Sequence, residues 1–236
     1  MSNTPENIYL ITGAARAFIY AGARDRPPAL EDVASRYLGR VEIVEYVAGD
    51  RDGNVALAKK IENQHGRIDT VIANAGISNF IGKVDEAPIH EYEEHFKVNV
   101  MGPLVLFQSL YKLLKSSKLP RFITISSGSG SLEMIPRLGT LDLAPYGASK
   151  AALNWLTRKI HFENDWIISF PLTPGGVNTD MLHKLVDWGK ITEEKVKQLT
   201  RTPDVAAEML VEIIRASSRE KEGGRFVTVE GKRFPW

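Results

Sequence analysis

ITGAARAFIYAGARD, from Ile11 to Asp25, holds two apolar runs with only five residues between them. IYLIT (8–12) and FIYAGA (18–23) both read as strands, joined by Gly13-Ala14-Ala15-Arg16-Ala17. Both runs are apolar throughout rather than alternating, as expected of parallel strands buried on two faces. The same pattern recurs at VEIVEYV (41–47), DTVIAN (69–74), RFITIS (121–126), WIISFP (166–171) and RFVTV (225–229). Helical patterns fill 54–65, 88–101, 103–117, 146–163 and 202–217. The last opens on Thr202-Pro203-Asp204, a capping residue followed by a proline in the first turn. Strands alternating with helices predict an α/β fold, a doubly wound and mostly parallel sheet in a single domain over 1–236. The stretch 178–200 has charge and apolar residues but no strand, and reads as a helical lid. The first crossover is the anomaly. Five extended residues reach about 17 Å, roughly the length of one strand, whereas a parallel crossover takes about a dozen residues or more.

Composition excludes several classes of function. The chain of 236 residues has a net charge of +1, which gives no electrostatic reason to expect nucleic acid or an acidic membrane surface. There are no cysteines, so disulfides, thiol catalysis and zinc-thiolate sites are excluded. No apolar run reaches the length of a membrane span, and MSNTPENIYL lacks the basic start and apolar core of a secretion signal. A soluble cytoplasmic protein is the expectation.

The chemistry-bearing residues cluster at strand ends and on one helix. YGASK places Tyr146 and Lys150 four residues apart, on one face of a helix. A phenol has a reference pKa of about 10 and needs a fixed ammonium nearby to act near neutral pH. Taken alone, the pair reads first as part of a solvated surface helix. RFITISSGSG ends a strand with Ser126 and Ser127, at the carboxyl edge where open α/β sheets bind ligands. DTVIANAGI ends another with Asn74, Ala75 and Gly76, small residues that let a backbone approach a ligand. FKVNVMG puts Asn99 inside an apolar helix, where an amide needs a partner. FPLTPGGVNTD follows a strand with Pro174, Gly175 and Gly176, then Val177 and Thr179. The histidines are scattered; His161 and His183 read as surface or packing residues, and no metal cluster, nucleophile elbow or phosphate-binding Walker loop is present.

In this order and spacing the motifs resemble the short-chain dehydrogenase/reductase family, over the whole chain, and its norsolorinic acid ketoreductase-like branch in YGASKAALNWLTRKIHFEN, PGGVNTDM and GRFVTVEGKRFPW. The resemblance implies a Rossmann-like sheet and an oxidoreductase. It implies that Tyr146 gives a proton to a carbonyl as hydride arrives and that Ser127 hydrogen-bonds the carbonyl oxygen. Lys150 would lower the tyrosine pKa and hold the nicotinamide ribose, and Asn99 would support a water relay to Lys150. Thr12 and Gly13 would open the cofactor site, Asn74, Ala75 and Gly76 would line its path, and Pro174, Gly175, Val177 and Thr179 would meet the nicotinamide end. Arg16 and Arg24 favour NADP(H), because arginine pairs with a 2′-phosphate; the charge run Arg24-Asp25-Arg26 is otherwise simply solvated.

The sequence departs from the family at that cofactor site. Only Gly13 of the glycine fingerprint is present, and no helix follows it to offer an N-terminus to a pyrophosphate. The family's acidic residue for the adenine falls near Ala48, with Asp50 as the nearest substitute. Three readings stay open: a block of residues lost from the sequence by a gene-model or cloning error, a truly shortened chain with weakened cofactor binding, or a descendant doing cofactor-free isomerisation, dehydration or cyclisation. The expected activity is NADPH-dependent reduction of a hydrophobic ketone or aldehyde, or its reverse, in secondary metabolism. A non-catalytic binding protein is the other class of reading. Ser131–Leu143, Ser78–Ile81 and Met181–Leu199 are expected to form the substrate pocket, with Phe80, Leu132, Met134, Ile135, Leu182, Leu185 and Trp188 as its apolar lining. The apolar helices 91–117 and 146–163 are expected to pair in a dimer or tetramer.

Overall fold

Ile19–Ala23 (β1) and Val41–Glu45 (β2) pair in parallel, from Ile19 opposite Val41 to Ala23 opposite Glu45, in a computed structural model that describes residues 18–138 and 141–236. The helix Pro28–Arg36 (α1) makes the crossover between them. Its first residue is a proline, which lacks the amide hydrogen that a first turn leaves unpaired anyway. Sequence reading missed this short helix, whose opening PPAL looks like a loop. The expected strand 8–12 and the short turn after Gly13 lie outside the described residues, as do Thr12, Gly13 and Arg16.

A second parallel sheet has the order β3–β4–β5–β6, formed by Thr70–Ala73, Arg121–Ile125, Ile168–Thr173 and Val227–Thr228. Its strands alternate by side. Phe122 of β4 joins Val71, Leu106, Leu110, Leu114, Ile160 and Ile61 in one apolar core. Its neighbour Ile123 faces the other way and packs with Phe170, Leu172, Ile214 and Val227. The first core is closed by Arg51–His65 (α2), Gly102–Lys115 (α4) and Ala144–Glu163 (α6), and the second by Pro203–Ala216 (α9). Helices on both faces of parallel strands make the doubly wound α/β architecture expected from the sequence.

Several boundaries move. The strand expected at 166–171 runs from Ile168 to Thr173, and that at 225–229 shrinks to Val227–Thr228. The helix expected over 88–101 is Ile89–Phe96 (α3), followed by a wide π turn, Lys97–Met101. The stretch expected to form a lid holds two helices, Asp180–Asp187 (α7) and Glu193–Leu199 (α8), and a short helix Ile135–Leu138 (α5) precedes α6. α2 starts at Arg51 because the Asp50 carboxylate accepts the Gly53 amide hydrogen at 3.2 Å. Asp50 is therefore a helix cap through one carboxylate oxygen, and Ala48 packs against Gly102. No helix among the described residues is long and apolar enough to cross a membrane.

Candidate active site

Three strands end in the loops that build the site. β4 stops at Ile125, and Ser126 and Ser127 follow at its carboxyl end. The Ser126 hydroxyl donates to Asn154 Oδ1 at 2.5 Å, which ties the loop to α6. Ser127 caps a tight turn, Gly128–Gly130, by accepting the Ser129 amide hydrogen at 3.2 Å. That turn presses on α6 so closely that a side-chain carbon at Gly130 would lie 2.6 Å from the Lys150 carbonyl carbon. Only glycine fits, and the contact fixes Ser127 against the helix that carries Tyr146 and Lys150.

Lys150 is 4% exposed, and its Nζ donates to the Ile125 carbonyl at 2.8 Å. Burial lowers its pKa from the usual 10.5 to about 8. The ammonium nitrogen lies 5.6 Å from the centre of the partly buried Tyr146 ring. Burial raises the Tyr146 pKa above its ordinary value, and a hydrogen bond with the Ser127 side chain acts against that rise. The phenol is thus held in its acid form beside a buried cation. Such a grouping can give a proton to a developing alkoxide and stabilise the phenolate left behind.

Asn99 sits in the π turn that interrupts the α3–α4 helix, a distortion often found at functional sites. It is fully buried. Its Oδ1 accepts the Ile77 amide hydrogen at 2.8 Å, and its Nδ2 donates to the Ile77 carbonyl at 3.0 Å and the Ser149 hydroxyl at 2.9 Å. The amide thereby clamps the loop after β3 to α6. A side-chain carbon at Gly76 would lie 3.2 Å from Asn99 Oδ1 and 3.4 Å from Lys150 Nζ. Gly76 therefore runs directly beside the lysine.

The loop after β5 is stitched to a residue that sequence reading overlooked. Arg201 accepts the Asn178 amide hydrogen at its carbonyl, 2.9 Å, and donates Nη1 to the Pro174 carbonyl at 3.2 Å. It also pairs with Glu230 at 2.8 Å. Gly175 takes the left-handed conformation, φ +72°, with open space where a side chain would stand. Val177 bridges Arg201, and the Thr179 hydroxyl donates to the Val177 carbonyl at 3.4 Å. Arg24 follows β1 at its carboxyl end, and its neighbour Arg26 is held by Glu31.

Contacts run among the segments expected to wall a pocket and the adjoining Gly82, while Leu132, Ile135 and Trp188, expected in its lining, are exposed. Gly82 bridges Leu143 in parallel, Lys184 donates to Asn79 Oδ1 at 3.3 Å, and Lys190 reaches Asp142 at 2.6 Å. His95, also unflagged by its sequence context, is fully buried; its Nδ1 donates to the Glu91 carbonyl at 2.6 Å and its Nε2 accepts the Asn79 amide hydrogen at 3.3 Å. His161 is a packing residue, 3% exposed, and His183 is half-buried, its Nε2 bonded to Asn178 Oδ1. Among the described residues no group of histidines and carboxylates is placed to hold a metal ion.

Comparison with known proteins adds to the geometry. The model of the short chain dehydrogenase family matches residues 9–190. The chain is 28% identical to norsolorinic acid ketoreductase of Aspergillus parasiticus, over 98% of this chain and 92% of that protein. It is 35% identical to a short chain dehydrogenase of Penicillium aethiopicum over 72% of this chain and 68% of that one. Its fold resembles the NADPH-bound carbonyl reductase from chicken fatty liver with a TM-score of 0.81 and 26% identity, covering 93% of this chain and 88% of the other.

Proposed function

The chain belongs to the short-chain dehydrogenase family, and from that premise we propose that it is an NADPH-dependent reductase of a small-to-medium hydrophobic ketone or aldehyde, working in the cytoplasm in secondary metabolism as a homo-oligomer. The observation that carries this reading is the convergence of Tyr146, Ser127 and a buried Lys150 at the carboxyl edge of the sheet. The site's donors fit a dinucleotide's ribose. Lys150 has three N–H bonds, of which one meets Ile125, and Gly175 leaves open space where a side chain would stand. Lys150, with Asn74 to Gly76 on one flank and Pro174 to Thr179 on the other, would hold the nicotinamide end; Arg24 would meet a 2′-phosphate. Bound NADPH would supply a hydride.

The chain's own work is then binding, orientation and proton delivery. Ser127 donates to the carbonyl oxygen and Tyr146 gives it the proton. Lys150 stabilises the phenolate, and Asn99 fixes the loop beside the lysine. The norsolorinic acid ketoreductase and carbonyl reductase names among its relatives support the carbonyl as the substrate group.

One feature favours a second reading. Only five residues separate the two runs at the amino end, which leaves no room for a phosphate-binding helix. A cofactor-free isomerase, dehydratase or cyclase would keep the tyrosine and lose the dinucleotide. Titration with NADPH, followed by cofactor fluorescence and with intact mass recorded on the same sample, separates the two. Micromolar binding at 26.3 kDa upholds the reductase; no binding at that mass leaves the cofactor-free enzyme.

A further inference from the structure

Asp142 is the only residue other than glycine with a left-handed backbone among the described residues, at φ +49°. Such strain persists where the surroundings hold it, and it gathers at functional sites. Three contacts hold it here. Its carbonyl accepts the Gly82 amide hydrogen at 2.8 Å. Its carboxylate accepts from Lys190 Nζ at 2.6 Å, with Lys83 adding attraction from a second side. Its successor Leu143 pairs with Gly82 and accepts the Gly147 amide hydrogen at 2.7 Å, closing the first turn of α6.

The position matters because α6 starts with no side-chain cap, and Tyr146 lies in that first turn. Lys190 is placed just as firmly. Its amide hydrogen bonds to Leu185 and that of Gly189 to Val186, the double bond pattern that ends a helix in a fixed direction. α7 presents Leu182, Leu185 and Val186, half-buried, yet has no fully buried residue. Its apolar face is thus only partly covered, and among the described residues the Lys190–Asp142 ion pair ties its far end to the residue two before α6.

We propose that Asp142 is a positioning residue, which locks the wall helix α7 to the first turn of α6 through Lys190 and so sets the depth of the substrate pocket over Tyr146. The assignment rests on the reductase reading for its kinetic test, though not for its structural one. Asp142→Asn keeps a residue that tolerates the left-handed backbone and removes the charge; Lys190→Met removes the partner. Each should raise KM for a bulky aromatic ketone about fivefold, in the range of a single partly covered ion pair. Affinity for NADPH and kcat should hold. The double variant should be no worse than either single one. High salt should raise the wild-type KM and leave the variants unchanged.

Hydrogen exchange of 180–199 followed by mass spectrometry is the second readout, and it needs no turnover. Asp142→Asn should speed exchange of α7 several-fold without altering that of α2. If wild type reduces no ketone but exchange in α7 quickens in the variant, the lock stands and the reductase reading falls. If wild type is active and the variant changes neither KM nor exchange, or the two substitutions add, the lock is overturned.

Discussion

The Lys150 ammonium lies 5.6 Å from the centre of the Tyr146 ring while donating to the Ile125 carbonyl at 2.8 Å. A cation so placed favours the phenolate only while it is charged. Burial brings its pKa down to about 8, so it is an ammonium below that pH and an amine above it. Ketone reduction by the free enzyme should therefore run level at lower pH and fall as pH rises through about 8. A pH profile of kcat/KM measures this. A profile flat to pH 10 would show that Lys150 keeps its charge.

The same shift has a cost in stability. The unfolded chain keeps the lysine charged up to its ordinary pKa of 10.5, whereas the folded chain gives the proton up near 8. Between those values the unfolded state binds more protons, so the native state gains stability as pH rises. The shift corresponds to roughly 3 kcal/mol at neutral pH. Lys150→Met should abolish activity and raise the melting temperature at pH 7, with an advantage over wild type that shrinks toward pH 10.5. Thermal melts at both pH values check the sign.

In the proposed reduction Tyr146 and Ser127 divide the work on the carbonyl oxygen, so the effects of their variants should differ in size. Tyr146→Phe removes the proton donor and should lower kcat by about 10²- to 10⁴-fold. Ser127→Ala removes one hydrogen bond to the oxygen and one cap on the Gly128–Gly130 turn, so it should cost activity and some stability. NADPH affinity should change little in either. Stopped-flow hydride transfer with each variant is the measurement. A Tyr146→Phe enzyme that reduces ketones at the wild-type rate would remove tyrosine from the chemistry.

Much of this geometry was legible in the sequence, for a physical reason. Parallel strands buried on both faces must be largely apolar, so β4 and β5 could be placed from their apolar runs. Tyr146 and Lys150 share a helix face by spacing, and Asn99 is conspicuous as an amide in an apolar run. Arg201 and His95 gave no such signal, because their partners are the backbones of Pro174, Asn178 and Asn79, which lie far away along the chain. The π turn was equally hidden; its residues Lys97–Met101 have ordinary helical character, and what distinguishes them is packing. Asp50 has a role that its position alone could have shown. An aspartate just before a helix is a natural cap, and one oxygen of this carboxylate accepts the Gly53 amide hydrogen.

His161 should contribute to the loss of stability in acid. It is 3% exposed, and Ser169 donates its amide hydrogen to Nδ1 at 3.4 Å. Burial, then the charge of Arg219, pushes its pKa down to about 4 from 6.5. The unfolded chain takes up a proton near 6.5 while the folded chain refuses it until about 4. Stability should therefore be lost as pH falls through that window. His161→Gln keeps an acceptor and removes the titration, so its urea midpoint should fall less between pH 7 and pH 5 than that of wild type. Parallel declines would place the proton uptake elsewhere.

Gly130 has no chemistry of its own, yet it should be among the least replaceable residues near the site. A side-chain carbon there would stand 2.6 Å from the Lys150 carbonyl carbon, 2.8 Å from the Ala151 nitrogen and 2.8 Å from the Lys150 Cβ. Two of those atoms are helix backbone and cannot step aside, so the turn itself must lift. Lifting it moves Ser127 away from Tyr146 and weakens the bonds of Asn154 to the Gly130 carbonyl, 3.3 Å, and to Ser126. Gly130→Ala should cost about 1–3 kcal/mol in urea unfolding, the usual penalty of forcing a methyl into a packed interior. It should lower kcat at least as far as Ser127→Ala does, because it displaces the same hydroxyl without removing it. A folded Gly130→Ala enzyme with wild-type kcat would mean that the turn and α6 can separate without loss, and that Ser127 is not held in place by this contact.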